Sequence, residues 1–149
     1  MQKIILTLLL IYFNTISYSQ SSEEYFRTLR NDIVNLRQGP SFEYPIKIIY
    51  KKKFLPILIQ DSSDNFRKVR DHENNTGWIH ISQLSKKKAA IVIDDDLIMF
   101  KNPTVYSKPI ALLKKGKLSK IIKCKVDWCK AKADNYKGWV KKESLWGLL

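Results

Sequence analysis

Apolar and polar side chains alternate with a period of two along short segments between residues 33 and 81. Such alternation is typical of strands that bury one face. Gly, Pro, Asn and Asp collect between the segments, where they favour turns. The pattern predicts five strands in this part of the chain: Ile33–Leu36, Ile46–Tyr50, Leu55–Ile59, Arg67–Arg70 and Gly77–Ile81.

The same alternation returns in the second half of the chain, and no long helix fits it. Ser and Glu residues before Tyr25 are compatible with a short helical segment around 22–28. Six further strands are predicted: Ala89–Ile93, Leu97–Phe100, Ile110–Leu113, Ser119–Lys125, Trp128–Ala133 and Gly138–Lys141.

The two halves of the chain are an internal sequence repeat. Asp32–Ser41 corresponds to Asp96–Thr104, and the Gly-Trp-Ile sequence at Gly77 corresponds to Gly-Trp-Val at Gly138, at offsets between 61 and 64 residues. We therefore predict an all-β protein with two tandem barrels of about five short antiparallel strands each, over 28–85 and 89–149. The expected aromatic core anchors are Phe66, Trp78, Trp128 and Trp139.

The first twenty residues differ from the rest of the chain. Lys3 precedes the apolar run Ile4–Phe13, and small polar residues follow up to Gln20. This order is typical of a secretory signal peptide, predicted over 1–19 and cleaved near Ser19-Gln20. The apolar run is shorter than the roughly 20 residues that a membrane span needs. A buried N-terminal core helix is the alternative interpretation.

The net charge of +13 predicts attraction to anionic partners. Residues 26–85 hold ten basic and six acidic side chains, whereas residues 86–149 hold sixteen and six, so the second unit is the more basic. In an exported protein, lipid headgroups, wall polymers and peptide carboxylates are the available anions, which disfavours nucleic acid as a partner. An ordinary solvated lysine surface is the alternative.

Cys124 and Cys129 flank a predicted hairpin turn in a chain expected to reach an oxidising compartment. Facing positions of a hairpin bring Cα atoms close enough for a disulfide, which we predict here. Two cysteines without a neighbouring histidine form an incomplete metal site. His72 and His80 have no nucleophile placed beside them, so we expect no catalytic residue, metal or cofactor.

Three short motifs of the first unit follow one another in the order Val34–Ser41, Asn65–Val69 and Gly77–Ile79. With the basic hairpin between them, they resemble the bacterial SH3-like (SH3b) domains of exported proteins. The second unit departs from the pattern by placing Lys101-Asn102 where Gln38-Gly39 stand, although Asn also suits a left-handed turn. Its later motifs resemble the tandem SH3-like proteins of Gram-negative bacteria: Asp127–Lys130, Gly138–Val140 and Leu145–Gly147.

The resemblance implies small, strongly bent β-barrels that bind peptides or peptidoglycan stems, and it implies no chemistry. We expect a non-catalytic, periplasmic or secreted module that recognises cell-wall peptide or an envelope protein and gains avidity from duplication. The alternative is a structural or assembly protein whose lysine-rich second domain contacts anionic envelope surfaces such as a membrane.

Two surfaces are the candidate ligand-binding sites, an aromatic and cationic one in the first unit and a cationic one in the second. A rim in the first unit is of the sort that holds extended peptides, and the second unit offers a lysine-rich turn. The candidate residues are Tyr44, Tyr50, Lys51, Lys52, Lys53, Lys114, Lys115 and Lys117.

Overall fold

The computed structural model describes residues 23–149, which form two seven-stranded antiparallel sheets. The predicted signal peptide lies outside the described residues. The first sheet contains β1 (Tyr25–Leu29), β2 (Val34–Arg37), β3 (Ile46–Tyr50), β4 (Pro56–Ser63), β5 (Phe66–Arg70), β6 (Thr76–His80) and β7 (Leu84–Ser85). The second contains β8 (Ala89–Val92), β9 (Asp96–Phe100), β10 (Pro109–Lys114), β11 (Leu118–Cys124), β12 (Trp128–Ala133), β13 (Tyr136–Lys141) and β14 (Leu145–Trp146).

Both sheets have the same strand order, so the predicted all-β tandem fold is confirmed. The first runs β3-β2-β6-β5-β4-β1-β7, and the second runs β10-β9-β13-β12-β11-β8-β14. Trp78 pairs with Arg37, and Trp139 pairs with Phe100, so the two tryptophans occupy equivalent places. Each unit has seven strands rather than about five.

The additional strands belong to the segments that open and close each unit. Tyr25–Leu29 pairs with both β4 and β7 and forms a strand, so the suggested helical segment is wrong over 25–28. Tertiary pairing overrides the capping signal because Thr28 and Leu29 are buried within the first unit. β7 and β14 have two residues each and follow short 3-10 turns. Two residues are too few to show the alternation of apolar and polar side chains from which strands are predicted.

The central clusters of the two units consist mainly of aliphatic side chains. The first cluster contains Leu29, Val34, Leu36, Leu55, Ile57, Ile59, Val69, Ile79, Leu84 and Ile91. The second contains Ala90, Val92, Leu97, Met99, Leu113, Ile121, Cys129, Ala131, Ala133, Val140 and Leu145.

The four aromatic anchors lie outside these clusters. Phe66 and Trp139 are buried, each 6% exposed, whereas Trp78 and Trp128 are only half-buried, so these last two do not fill the core. Alternation along β12 is the reason: Cys129 is buried in the core, so its neighbour Trp128 lies on the outer face.

A β-bulge interrupts the longest strand at the same place in both units. The register shifts between Ile59 and Asp61 in β4 and between Ile121 and Lys123 in β11. A bulge bends its strand and increases the local twist. Each sheet can therefore curl around a single cluster of inward-facing side chains.

The two units pack tightly together at β8. Ala90 and Val92 belong to the second cluster, whereas Ile91, on the opposite face of the same strand, belongs to the first. All four residues of β8 are buried because the strand lies between the two cores. Only Lys86–Lys88 separate β7 from β8, so the units form one body joined by a short basic linker.

Asp94 and Asp95 lie between β8 and β9, and Asp96 begins β9, so this acidic run lies inside the second unit. In the part of the chain from 23 to 149, no helix is long and apolar enough to cross a membrane.

Candidate functional site

The structure separates the candidate residues of the first unit. Tyr44 precedes β3 and Lys51 follows it, so about 20 Å of extended strand divides the predicted rim. The Tyr44 carbonyl accepts a hydrogen bond from Arg37 Nη1 at 2.8 Å, at the end of β3 remote from the lysines. The predicted aromatic and cationic rim is therefore not a single surface.

Tyr50 is half-buried and bonded within the unit. Its hydroxyl donates to Asp71 Oδ2 at 2.8 Å. Burial raises the pKa of Tyr50 well above its usual value, and the hydrogen bond to Asp71 raises it further. Asp71 is 1% exposed and also accepts from the backbone N–H groups of Glu73 and Asn75. Tyr50 therefore anchors a loop, and its hydroxyl is occupied.

The candidate lysines of the second unit are each paired with an aspartate. Lys114 pairs with Asp96, Lys115 Nζ lies 3.9 Å from Asp95 Oδ1, and Lys117 pairs with Asp134. The pairs are largely exposed to solvent, where an ion pair contributes little stability. They do, however, balance the positive charge of this turn.

The junction of the units brings together lysines that are distant in sequence. Lys52 Nζ lies 3.5 Å from the Gly116 carbonyl oxygen of the second unit. Three ammonium nitrogens surround the Phe54 ring, at 5.7 Å (Lys53), 5.5 Å (Lys87) and 4.6 Å (Lys120) from its centroid. We call Phe54 and these three lysines the lysine seam.

The outer face of the second unit carries another aromatic and cationic cluster. The ammonium nitrogens of Lys123, Lys125 and Lys130 lie 5.8, 5.4 and 5.9 Å from the Trp139 ring centroid. Lys141 lies 4.8 Å above Trp128. Phe100 completes this cluster, with its ring centroid 5.8 Å from that of Trp128. We call this group the tryptophan face.

The predicted disulfide is confirmed, and it secures the edge of the tryptophan face. Cys124 and Cys129 are directly opposed across β11 and β12, with an S–S distance of 2.01 Å. The bridge closes the hairpin that bears Lys123, Lys125 and Trp128. It therefore limits how far these side chains can move relative to one another.

The corresponding face of the first unit differs in chemistry. Phe42, Phe66 and His80 contact one another with all three ring-centroid distances at 5.1 Å. His80 Nδ1 lies 2.7 Å from Ser82 Oγ. Trp78 borders an open cavity of about 310 Å³ with Lys47 and Lys68. Two lysines line this cavity and Arg37 Cζ lies 5.5 Å from the Phe42 ring centroid, compared with the four lysines over the tryptophan face.

Within residues 23–149, no three His, Cys, Asp or Glu side chains converge as a metal site would require. Both cysteines are in the disulfide. His72 lies 6.1 Å, between ring centroids, from Trp146 of the second unit.

Sequence reasoning missed the central role of Phe54. Phe54 sits at the position that Gly116 occupies in the second unit. The Phe54 N–H donates to the Leu29 carbonyl, and the Gly116 N–H donates to the Val92 carbonyl. Leu29 and Val92 are equivalent because each pairs with the leucine that begins the last strand of its unit. Aligning the turns of the two repeats residue by residue would have revealed an aromatic residue in a glycine position.

The fold and its lysine-covered aromatic surfaces define a tandem module of small all-β domains. The chain belongs to the bacterial SH3 domain family, whose model matches residues 30–86 and 94–147. Domains of this family are typically binding modules. A comparison with curated proteins finds no match.

Two solved structures from Trichomonas vaginalis are similar to this chain, NlpC2 and NlpC1, each at 12% identity and a TM-score of 0.38. The alignments cover 83% of this chain and 48% of NlpC2, and 85% of this chain and 47% of NlpC1. The chain thus spans about half the length of these structures.

Proposed function

We propose that this protein is a non-catalytic exported module that binds an acidic cell-wall peptide, or an acidic segment of an envelope protein, on the tryptophan face. The observation that carries the proposal is the set of four lysines held over two indole rings. Among residues 23–149, none of the four is in an ion pair. Their charge is therefore available to a ligand.

The burial of the two tryptophans gives them different roles. Trp139 is only 6% exposed, because lysine stems can cover an indole while their ammonium groups remain in water. It therefore orients the lysines toward solvent. Trp128 is half-buried and offers apolar surface to a ligand side chain. A peptide with carboxylates beside an apolar group could therefore bind the lysines through its carboxylates and Trp128 through its apolar group.

The experiment is a pull-down of the protein on purified peptidoglycan, compared with sedimentation on phosphatidylglycerol vesicles, at low and at high salt. Wall binding that weakens but persists at high salt supports the proposal, because salt screens the contacts to the lysines but not the contacts to the indole rings. Hydrolysis of the wall material would overturn it.

The chain offers a matched pair of lysines for this assay. Lys130 is directly opposite Trp139, and Lys68 is directly opposite Trp78 at the equivalent place in the first unit. We expect Lys130→Gln to weaken wall binding about two- to fivefold and Lys68→Gln to leave it unchanged. Equal losses in both variants would contradict the tryptophan face as the site.

A second candidate function is a structural role in which the second unit holds anionic envelope surfaces by charge alone. The sixteen basic and six acidic side chains of residues 86–149 favour it. Vesicle binding that disappears at high salt, together with an absence of wall binding, would select this function over the first.

A further inference from the structure

The turn between β3 and β4 contains an unusual aromatic residue. Phe54 has φ of 64°, and the equivalent Gly116 has φ of 79°. Left-handed backbone suits glycine and disfavours a residue with a bulky side chain. A Cβ atom at Gly116 would meet nothing within 4 Å. Because the second unit makes the same turn with a glycine, the turn itself does not require a phenyl ring.

The Phe54 ring is instead the point where three basic segments converge. Lys53 comes from the turn of the first unit, Lys87 from the linker and Lys120 from β11 of the second unit. An ammonium group is attracted to the face of an aromatic ring, so the ring holds three like charges near one another. Among the described residues, none of the three lysines forms an ion pair.

The surroundings of the ring provide room for an anion. A cavity of about 290 Å³ is lined by Phe54, Lys87, Lys88, Lys120 and Ile121, with no acidic side chain. A second cavity of about 280 Å³ shares Lys87 and Lys88, and its lining adds Lys86 and Arg27, again without an acidic side chain. Both cavities lie where the two units meet.

The seam is held in place by packing between the units. The Thr28 hydroxyl donates to the Lys87 carbonyl at 2.9 Å, and Thr28 is 2% exposed. Phe26 of β1 makes an edge-to-face contact with Trp146 of β14, with a centroid distance of 4.9 Å. The lysine positions therefore depend on both units, and neither unit alone contains the whole set.

We propose that the lysine seam is a binding site for a compact phosphate-bearing anion, bound between the two units. Lysines act as point charges toward phosphate, and three of them match a group with two or more negative charges. The proposal concerns a surface separate from the tryptophan face and holds whether or not that face binds peptide.

The test is a titration of the full chain with inorganic pyrophosphate at low salt, followed by backbone amide chemical shifts and calorimetry. We expect shifts centred on the amides of Phe54, Lys87 and Lys120. Lys120→Gln should weaken pyrophosphate binding about threefold or more, because one of three converging charges is lost. Lys101→Gln, directly after the end of β9, should leave it unchanged.

Two variants at Phe54 separate a binding role from a structural one. Phe54→Gly suits the left-handed turn, so we expect it to remain folded but to bind pyrophosphate more weakly, since the lysines lose their common ring. Phe54→Leu keeps apolar bulk without the aromatic face and should also bind more weakly. Wild-type binding by both variants would overturn the proposal, as would equal losses in Lys120→Gln and Lys101→Gln.

Phosphate of this kind can come from a lipid headgroup or from a soluble polymer or metabolite. Sedimentation on phosphatidylglycerol vesicles distinguishes them. Vesicle binding that falls in Lys120→Gln and is competed by pyrophosphate assigns the seam to headgroups. Pyrophosphate binding without seam-dependent vesicle binding assigns it to a soluble phosphate. Absence of pyrophosphate shifts at the seam contradicts both.

Discussion

The first and second units share one backbone design but differ in the chemistry at matching positions. Phe66 in the first unit corresponds to Trp128 in the second, and His80 corresponds to Lys141, because each pair is opposed across the same two strands. The first unit packs these rings against one another, whereas the second covers its tryptophans with lysines. The comparison separates the positions that the shared fold constrains from the positions at which the proposed ligand contacts of the second unit lie.

The core clusters of the two units differ in side-chain size, and only the second unit contains a disulfide. At the end of the hairpin, Ser62 and Arg67 of the first unit occupy the positions of Cys124 and Cys129. The first cluster is rich in isoleucine, whereas the second contains three alanines and a cysteine. We infer that packing stabilises the first unit and that a covalent bridge supplements a smaller core in the second.

The largest expected effect comes from the residue that the units share. Ile91→Ala should cost about 2–4 kcal/mol, because it removes buried atoms from the first cluster although the residue belongs to the second unit. In this variant, the backbone amide hydrogens of Val69 and Ile79 in the first unit should exchange with solvent faster than in the wild type. The control Ile98→Ala, at a 43% exposed position, should change little. Loss of protection confined to the second unit would contradict the shared core.

Loss of the disulfide should have an intermediate effect, centred on the second unit. Cys124→Ala leaves Cys129 in the core but opens a short loop, which should cost about 2 kcal/mol on the chain-entropy model. Urea unfolding with and without reductant measures the same difference in the wild type. Ser62→Ala at the equivalent position should be neutral. An unchanged midpoint in reductant would contradict a stabilising role.

Tyr50 should stabilise the first unit at neutral pH through its hydrogen bond to the buried Asp71, and this contribution should disappear in alkali. Because its pKa is raised in the fold, it stays protonated where the unfolded chain ionises. Its contribution is complete below about pH 10 and is lost as the pH rises further, by up to about 1.4 kcal/mol per pH unit. Tyr50→Phe should flatten this loss in urea unfolding at pH 9 and above, unlike Tyr136→Phe. Equal slopes in the two variants would contradict the prediction.

The period-two pattern was enough to predict the strand class and the duplication, since most predicted strands overlap observed ones. The direction of Trp128 could not be predicted, because Cys129 beside it is also apolar and either phase of the alternation is plausible. The lysine seam could not be predicted because Lys53, Lys87 and Lys120 are far apart in sequence and meet only when the units pack.

The most direct test of the central claim follows the indole N–H signals of the four tryptophans during titration with solubilised peptidoglycan fragments. The account predicts that the signals of Trp128 and Trp139 shift with fragment concentration, while that of Trp78, at the equivalent place in the first unit, stays fixed. A shift at Trp78 without one at Trp128, or no shift at any of the four, would contradict it.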